Sequence, residues 1–326
     1  MVILLFLVST AAAQPEAGRV EWPRQYYAPY LYMGGYPAYL LAYTAETTGV
    51  RFFSLGFILN GGGECQARWL GSAALDMFNL PRDLDNLRAL GGDVIVSFGG
   101  AGGDELAMTC PDVASLTAEY QRVIDTLNVT HLDFDIEGDD IHDADSLERR
   151  SEAIANLQAA ATEAGKPLVV SFTLPVEPTG LTEDGLAVLE LALASGVQVD
   201  VVNIMTMNFG DEFPHDQMGQ NTIQAAESLF TQLQDLFPDK TDEQLWAMIG
   251  LTPMIGVNDR ARQIFTLEDA EALVAFAQER GIGRLAMWAL NRDEECISGV
   301  QIAALNCSGT TQDEFAFSMI FNRVTG

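Results

Sequence analysis

The chain has 326 residues, 48% of them apolar, and its 46 acidic against 17 basic side chains leave a formal net charge of −29. That length and apolar share admit one large domain with a substantial core and exclude a disordered chain. The acidic balance excludes nucleic acid and anionic membranes as partners; it suits a neutral substrate and also fits a salty habitat, where screening relieves self-repulsion.

Residues 1–14 read as a signal peptide. An unbroken apolar run at 2–8 precedes small residues, and Ala11 and Ala13 fit an A-x-A cleavage site. The run is too short to span a bilayer, so a secreted protein with no membrane anchor is expected, its mature domain covering 15–326. Beyond it, periodicity predicts strands at 26–33, 50–59, 93–99, 130–137, 167–174, 200–208, 245–251 and 284–290. Several are near-continuous apolar runs, as parallel strands buried on both faces require. Amphipathic helices are expected at 115–127, 145–163, 182–194, 222–236 and 267–279. Asp112, Thr182 and Thr266 stand as N-caps, and Gly165, Gly196 and Gly281 as stop signals. The tail at 311–324 reads as one last helix packing Phe315, Phe317, Met319, Ile320 and Phe321.

Eight strand-then-helix units predict an α/β protein with a single domain, a (β/α)8 TIM barrel. An open doubly wound sheet is the competing architecture. The Gly-rich turns at 61–63 and 99–103 follow strands but do not fit G-x-G-x-x-G. Cys65, Cys110, Cys296 and Cys307 form no CxxC pair, and His131, His142 and His215 are scattered, so no metal site is expected. An even count in an exported chain predicts two disulfides. Of the three possible pairings, Cys65–Cys110 with Cys296–Cys307 is preferred, with four free thiols as the alternative.

The informative segment runs from Thr130 through His131, Leu132, Asp133, Phe134, Asp135 and Ile136 to Glu137 and Gly138. Alternation along a strand places Asp133, Asp135 and Glu137 on one face, about 6.6–7 Å from one to the next. Leu132, Phe134 and Ile136 take the other. Three carboxylates in a barrel interior repel one another, so at least one should hold a proton at neutral pH, as a general acid must. A solvated edge face is the plainer alternative, but the intervening residues are all large and apolar. An acidic Mg²⁺ or Ca²⁺ site is another.

This segment resembles the D-x-x-D-x-D-x-E signature of glycoside hydrolase family 18, the chitinases and endo-β-N-acetylglucosaminidases. Val96-Ser97-Phe98-Gly99-Gly100 is similar to the family's S-x-G-G motif, and Met205-Thr206-Met207-Asn208-Phe209-Gly210 to a strand-six segment usually read M-T-M-D-Y-G. Segments at 252–259 and 287–293 resemble strands seven and eight of the same bacterial branch.

The resemblance implies a retaining, endo-acting, monomeric enzyme on chitin or N-acetylglucosamine oligosaccharides, with no cofactor. Glu137 would protonate the glycosidic oxygen while the substrate's own acetamide attacks the anomeric carbon. Asp135 would orient that acetamide, and Asp133 would share a proton with Asp135. Trp288 would floor the sugar site, with Met205, Met207, Asn208, Phe209, Ser97 and Gly99 as further substrate contacts. Trp69 and Trp246 are weaker candidates for a sugar groove.

Two departures stand out. Thr130 and His131 replace the first Asp and a Gly, at the deep end of the strand. Asn208-Phe209 replaces Asp-Tyr, removing a charge and a hydroxyl, so Phe209→Tyr is expected to raise activity if that hydroxyl is used. The alternatives are endo-β-N-acetylglucosaminidase action on N-glycans, and a weakly active or non-catalytic chitin-binding lectin-like protein.

Overall fold

The computed structural model describes residues 20–35, 40–63, 65–260 and 262–325. The expected signal peptide at 1–14 lies outside the described residues. In chain order the elements are β1 (Tyr26–Tyr27), β2 (Tyr30–Tyr32), α1 (Leu41–Thr48), β3 (Phe52–Asn60), β4 (Ala67–Trp69), α2 (Leu80–Ala89), β5 (Asp93–Gly99), α3 (Leu106–Thr109), α4 (Val113–Leu127), β6 (His131–Asp135) and α5 (Ala144–Glu163). There follow β7 (Val169–Glu177), β8 (Gly180–Leu181), α6 (Glu183–Ala194), β9 (Val201–Met205), α7 (Met218–Leu236), α8 (Asp242–Ala247), β10 (Ile249–Leu251), β11 (Gly256–Val257), β12 (Ile264–Phe265), α9 (Leu267–Arg280), β13 (Arg284–Leu285) and α10 (Ala316–Phe321).

Closure is decided by the first stave. Pro29 has no N–H to give the ladder, and it separates β1 from β2. β1 pairs with β13 and β2 with β3, both parallel. The Pro29 carbonyl still accepts from Ser54 N at 2.9 Å, and Ala28 N donates to Leu285 O at 2.8 Å. One short stretch therefore joins the two ends of the path β3-β5-β6-β7-β9-β10-β13. The result is a closed parallel barrel of eight staves, and the open sheet is excluded.

The local signals act as the residue types require. Asp112, Thr182 and Thr266 each accept from the backbone N–H three residues on, at Ser115, Gly185 and Asp269. Gly281 ends α9 in the left-handed region at φ 78°. Two expectations need correction. Residues 245–247 belong to α8, not to a strand, because Thr241 and Gln244 form a capping box ahead of them. The tail helix is only Ala316–Phe321 followed by a 3₁₀ turn, and it begins after Phe315 at φ 61°. Within it Met319 is exposed, where packing was expected.

Both disulfides form as expected. Cys65–Cys110 ties the β3–β4 loop to the end of α3, and Cys296–Cys307 closes a loop after β13. Among the described residues no helix is long and apolar enough to cross a membrane. The first bridge closes a separation of 45 residues, so a Cys65→Ser/Cys110→Ser variant should lose about 4 kcal/mol of stability by the loop-entropy relation. Chemical denaturation measures the difference, and an unchanged midpoint would contradict it.

Candidate active site

β6 sorts its side chains as alternation demands. Phe134 packs outward against Phe98, Tyr120 and Phe172, with ring centroids 5.3–5.9 Å away. Asp133 and Asp135 turn inward. Ile136 N donates to Thr173 O at 3.0 Å, which continues the β6–β7 pairing and carries Glu137 to the C-terminal mouth. The departures Thr130 and His131 lie at the opposite end. There His131 stacks on Trp22 at 4.0 Å, next to a cluster of Tyr26, Ala28, Phe52 and Ile95 that fills the barrel floor.

Asp133 is fully buried in a cage of donors. Tyr30 and Ser97 hydroxyls each donate to Oδ2 at 2.7 Å. Ser171 and Thr173 hydroxyls donate to Oδ1, and Arg284 Nη1 stands 3.3 Å from that atom. The register explains the convergence: Ser97, Asp133 and Ser171 are aligned across β5, β6 and β7, and Asp135, Thr173 and Asn203 across β6, β7 and β9. A directed chain runs inward from the cleft. Thr252 Oγ1 donates to Asn203 Oδ1, Asn203 Nδ2 to Thr173 Oγ1, and Thr173 to Asp133, each at 2.9 Å. With both Asp133 oxygens so engaged, no hydrogen bond joins it to Asp135 among the described residues.

Asp135 is buried, and its Oδ1 has no hydrogen-bond partner among the described residues. Burial first, then the Glu137 and Asp133 carboxyls, push its pKa well above the usual range, and Arg284 pulls weakly the other way. Glu137 is half-buried. Burial first and then Asp140 raise its pKa to about 7. The two neighbouring acids therefore hold on to protons that ordinary carboxylic acids release near pH 4.

Asp135 and Glu137 open onto a cleft of about 310 Å³ built from residues at the C-terminal ends of the staves, where barrel proteins place their sites. Trp288 forms an aromatic wall with Tyr30, Tyr32 and Phe57, ring centroids lying 5.8–6.1 Å from its own. Met205, Met207 and Asn208 also line the cleft. Asn208 takes a left-handed backbone at φ 53°, which Asn tolerates, and its side chain bridges Asp259 and Arg260 N.

Ser97, Gly99 and Phe209 do not line the cleft. Ser97 serves Asp133 from below. Gly99, at φ 92°, permits close approach, since a Cβ there would sit 2.1 Å from the Asp135 carbonyl oxygen. Phe209 is 1% exposed within the main core. Phe209→Tyr is therefore expected to leave kcat unchanged and to lower stability by about 1–3 kcal/mol, since a hydroxyl would be buried without a partner. A rise in kcat would restore the hydroxyl reading. Trp69 and Trp246 are core residues: Trp69 Nε1 donates to Leu75 O, and Trp246 stacks on Phe230 at 4.2 Å.

The sequence reading does not single out Tyr30, Ser171, Thr173, Asn203 or Arg284. A signal did exist, because Ser171 and Thr173 alternate with Val170, Phe172 and Leu174, the pattern of a strand with one polar face inside a barrel.

Fold and site together define a (β/α)8 barrel built around a carboxylate cleft with an aromatic wall. No family model matches the chain. It is 36% identical over 311 residues to a probable bifunctional chitinase/lysozyme of Escherichia coli K12, covering 92% of this chain and 34% of that protein. It is 37% identical over 281 residues to Endochitinase 11 of Metarhizium anisopliae, covering 83% of this chain and 53% of that one. The chain thus spans about a third and about half the length of these two relatives. The catalytic domain of the hyperthermophilic chitinase from Pyrococcus furiosus superposes with a TM-score of 0.84 at 36% identity, over 95% of this chain and 98% of that one. Catalytic-site mutants of that enzyme's active domain 2 have been solved in complex with chito-oligosaccharides, and superpose at 0.83. The chain belongs to the chitinases of glycoside hydrolase family 18.

Proposed function

We propose that this protein is an endo-acting retaining glycoside hydrolase that cuts β-1,4 linkages of N-acetylglucosamine in chitin and chito-oligosaccharides, with Glu137 as general acid. The observation that carries the reading is a half-buried Glu137 held protonated up to about pH 7 at the mouth of an aromatic-walled cleft, with Asp135 beneath it. The E. coli and Metarhizium relatives carry chitinase names, and the Pyrococcus domain is described with chito-oligosaccharides bound. These favour chitin over the N-glycan alternative.

Glu137 gives its proton to the glycosidic oxygen as the bond breaks. The substrate's 2-acetamido oxygen attacks the anomeric carbon, so no enzyme nucleophile is used, and water then opens the oxazolinium ion with Glu137 as base. Asp135 faces the acetamide. The unpartnered Oδ1 of Asp135 is the acceptor that an acetamide N–H would satisfy, orienting the nucleophile and stabilising its developing positive charge. Asp133, in its cage with Arg284, fixes the geometry from below. Trp288 offers an apolar face to the sugar ring. Two disulfides support a protein exported to an oxidising compartment.

The pH dependence tests the assignment of the acid. Glu137 works only when protonated, so kcat should hold below pH 7 and fall about tenfold per unit above it. An unperturbed glutamic acid would lose activity from about pH 4.5. Asp140→Asn removes a negative charge that raises the Glu137 pKa, and should move the basic limb to lower pH. A limb that stays put in Asp140→Asn, or moves up, would sink the assignment.

A further inference from the structure

Nine large apolar side chains are exposed among the described residues, and four of them, Ile297, Val300, Ile302 and Leu305, lie in the disulfide-closed loop from Cys296 to Cys307. They are 92, 45, 51 and 60% exposed. The same loop has no ionisable side chain, in a chain with 63 acidic and basic residues (46 + 17). It is also continuous with the cleft, because Ala303, Ala304 and Leu305 form part of the cleft wall.

The loop is held at its base. Cys296–Cys307 closes it, and Ser308 N donates to Glu294 O at 2.9 Å. Buried Arg292 reaches from the end of the barrel to the Ala304 carbonyl, and donates with its other nitrogen to Ile255 O and Val257 O at 2.9 and 2.7 Å. An apolar surface restrained in this way binds without first losing much chain entropy.

We infer that the Cys296–Cys307 loop is a second binding surface for the polymer, holding the face of insoluble chitin beside the cleft in which one strand is cut. This rests on the chitinase reading of the cleft and adds to it. The occupant is specified by chemistry. Stacked β-1,4 strands present axial C–H faces and acetamide methyls, are neutral, and extend beyond any single cleft. An uncharged apolar loop at the rim gains by covering them, and a charged partner would gain nothing from it. A soluble oligosaccharide that fits within the cleft does not reach Ile297 or Ile302, which lie outside its lining.

The test compares wild type with an Ile297→Ser/Val300→Ser/Ile302→Ser variant, which leaves Leu305 and the cleft untouched. Binding is read by depletion onto suspended chitin, and turnover on both suspended chitin and soluble chitotetraose. The expected result is about tenfold weaker adsorption and slower attack on the solid, with kcat/KM on chitotetraose unchanged. Ile297→Glu, at a side chain too exposed to affect packing, should weaken adsorption in the same direction. Met319→Ser, an exposed apolar residue on α10, should change nothing. Wild-type adsorption in both loop variants would overturn the inference, as would a concentration-dependent dimer that the triple variant abolishes, since a second copy would then own the surface. Absence of chitotetraose hydrolysis by the wild type would instead count against the proposed function, so the two failures are distinguishable.

Discussion

Glu137→Gln should lower kcat on chitotetraose by about 10³-fold, within the 10²–10⁴ that a positioned general acid contributes. The amide keeps the size of the side chain and removes the transferable proton. Sugar binding and the thermal transition should be unchanged, because the Glu137 side chain stands at the mouth and makes no hydrogen bond to the protein among the described residues. With a nitrophenyl leaving group, which departs with little protonation, the loss should be smaller. Equal losses on the two substrates would mean that Glu137 acts in some way other than as an acid.

Arg284→Met should lower stability by about 3–5 kcal/mol. Arg284 and Asp133 are both 0% exposed, with Nη1 3.3 Å from Oδ1. The guanidinium also donates to Ser54 Oγ at 2.8 Å and lies 5.5 Å from the Tyr30 ring centroid. Methionine can fill much of the volume but leaves the Asp133 carboxylate buried without its counter-charge. Against a typical total of 5–15 kcal/mol, that loss is a large fraction of the fold's stability. Adding Asp133→Asn to Arg284→Met should recover part of it, because both charges are then gone. If the double variant were less stable than the sum of the singles, the pair would not be the source of the effect.

The parts legible in the sequence were those set by local pattern. β5 spans the expected 93–99, and the three N-caps act as their residue types require. The acidic strand was legible because alternation fixes which side chains share a face. The stretch Leu245-Trp246-Ala247-Met248-Ile249-Gly250-Leu251 was not, since a short apolar run is equally a strand or a buried helical turn. The capping signal at Thr241 and Gln244 could have decided it. Motif position does not tell which way a side chain points in an irregular turn: of the 205–210 segment, Met205, Met207 and Asn208 reach the cleft and Phe209 does not. The Asp133 cage depends on register between five staves far apart in sequence. The alternation of Ser171 and Thr173 with apolar residues, and a lone Arg284 opening an apolar strand, were the visible signs of it. The Cys296–Cys307 loop read as a stapled connection, and only the folded chain brings it against the cleft.

The most direct test of the central claim is to follow wild-type digestion of chitotetraose by proton NMR from the first seconds, before mutarotation. Retaining, acetamide-assisted cleavage by Glu137 and Asp135 predicts new reducing ends that appear as the β-anomer and relax to the mixture later. Initial α-anomer, or no cleavage of chitotetraose at all, would contradict it.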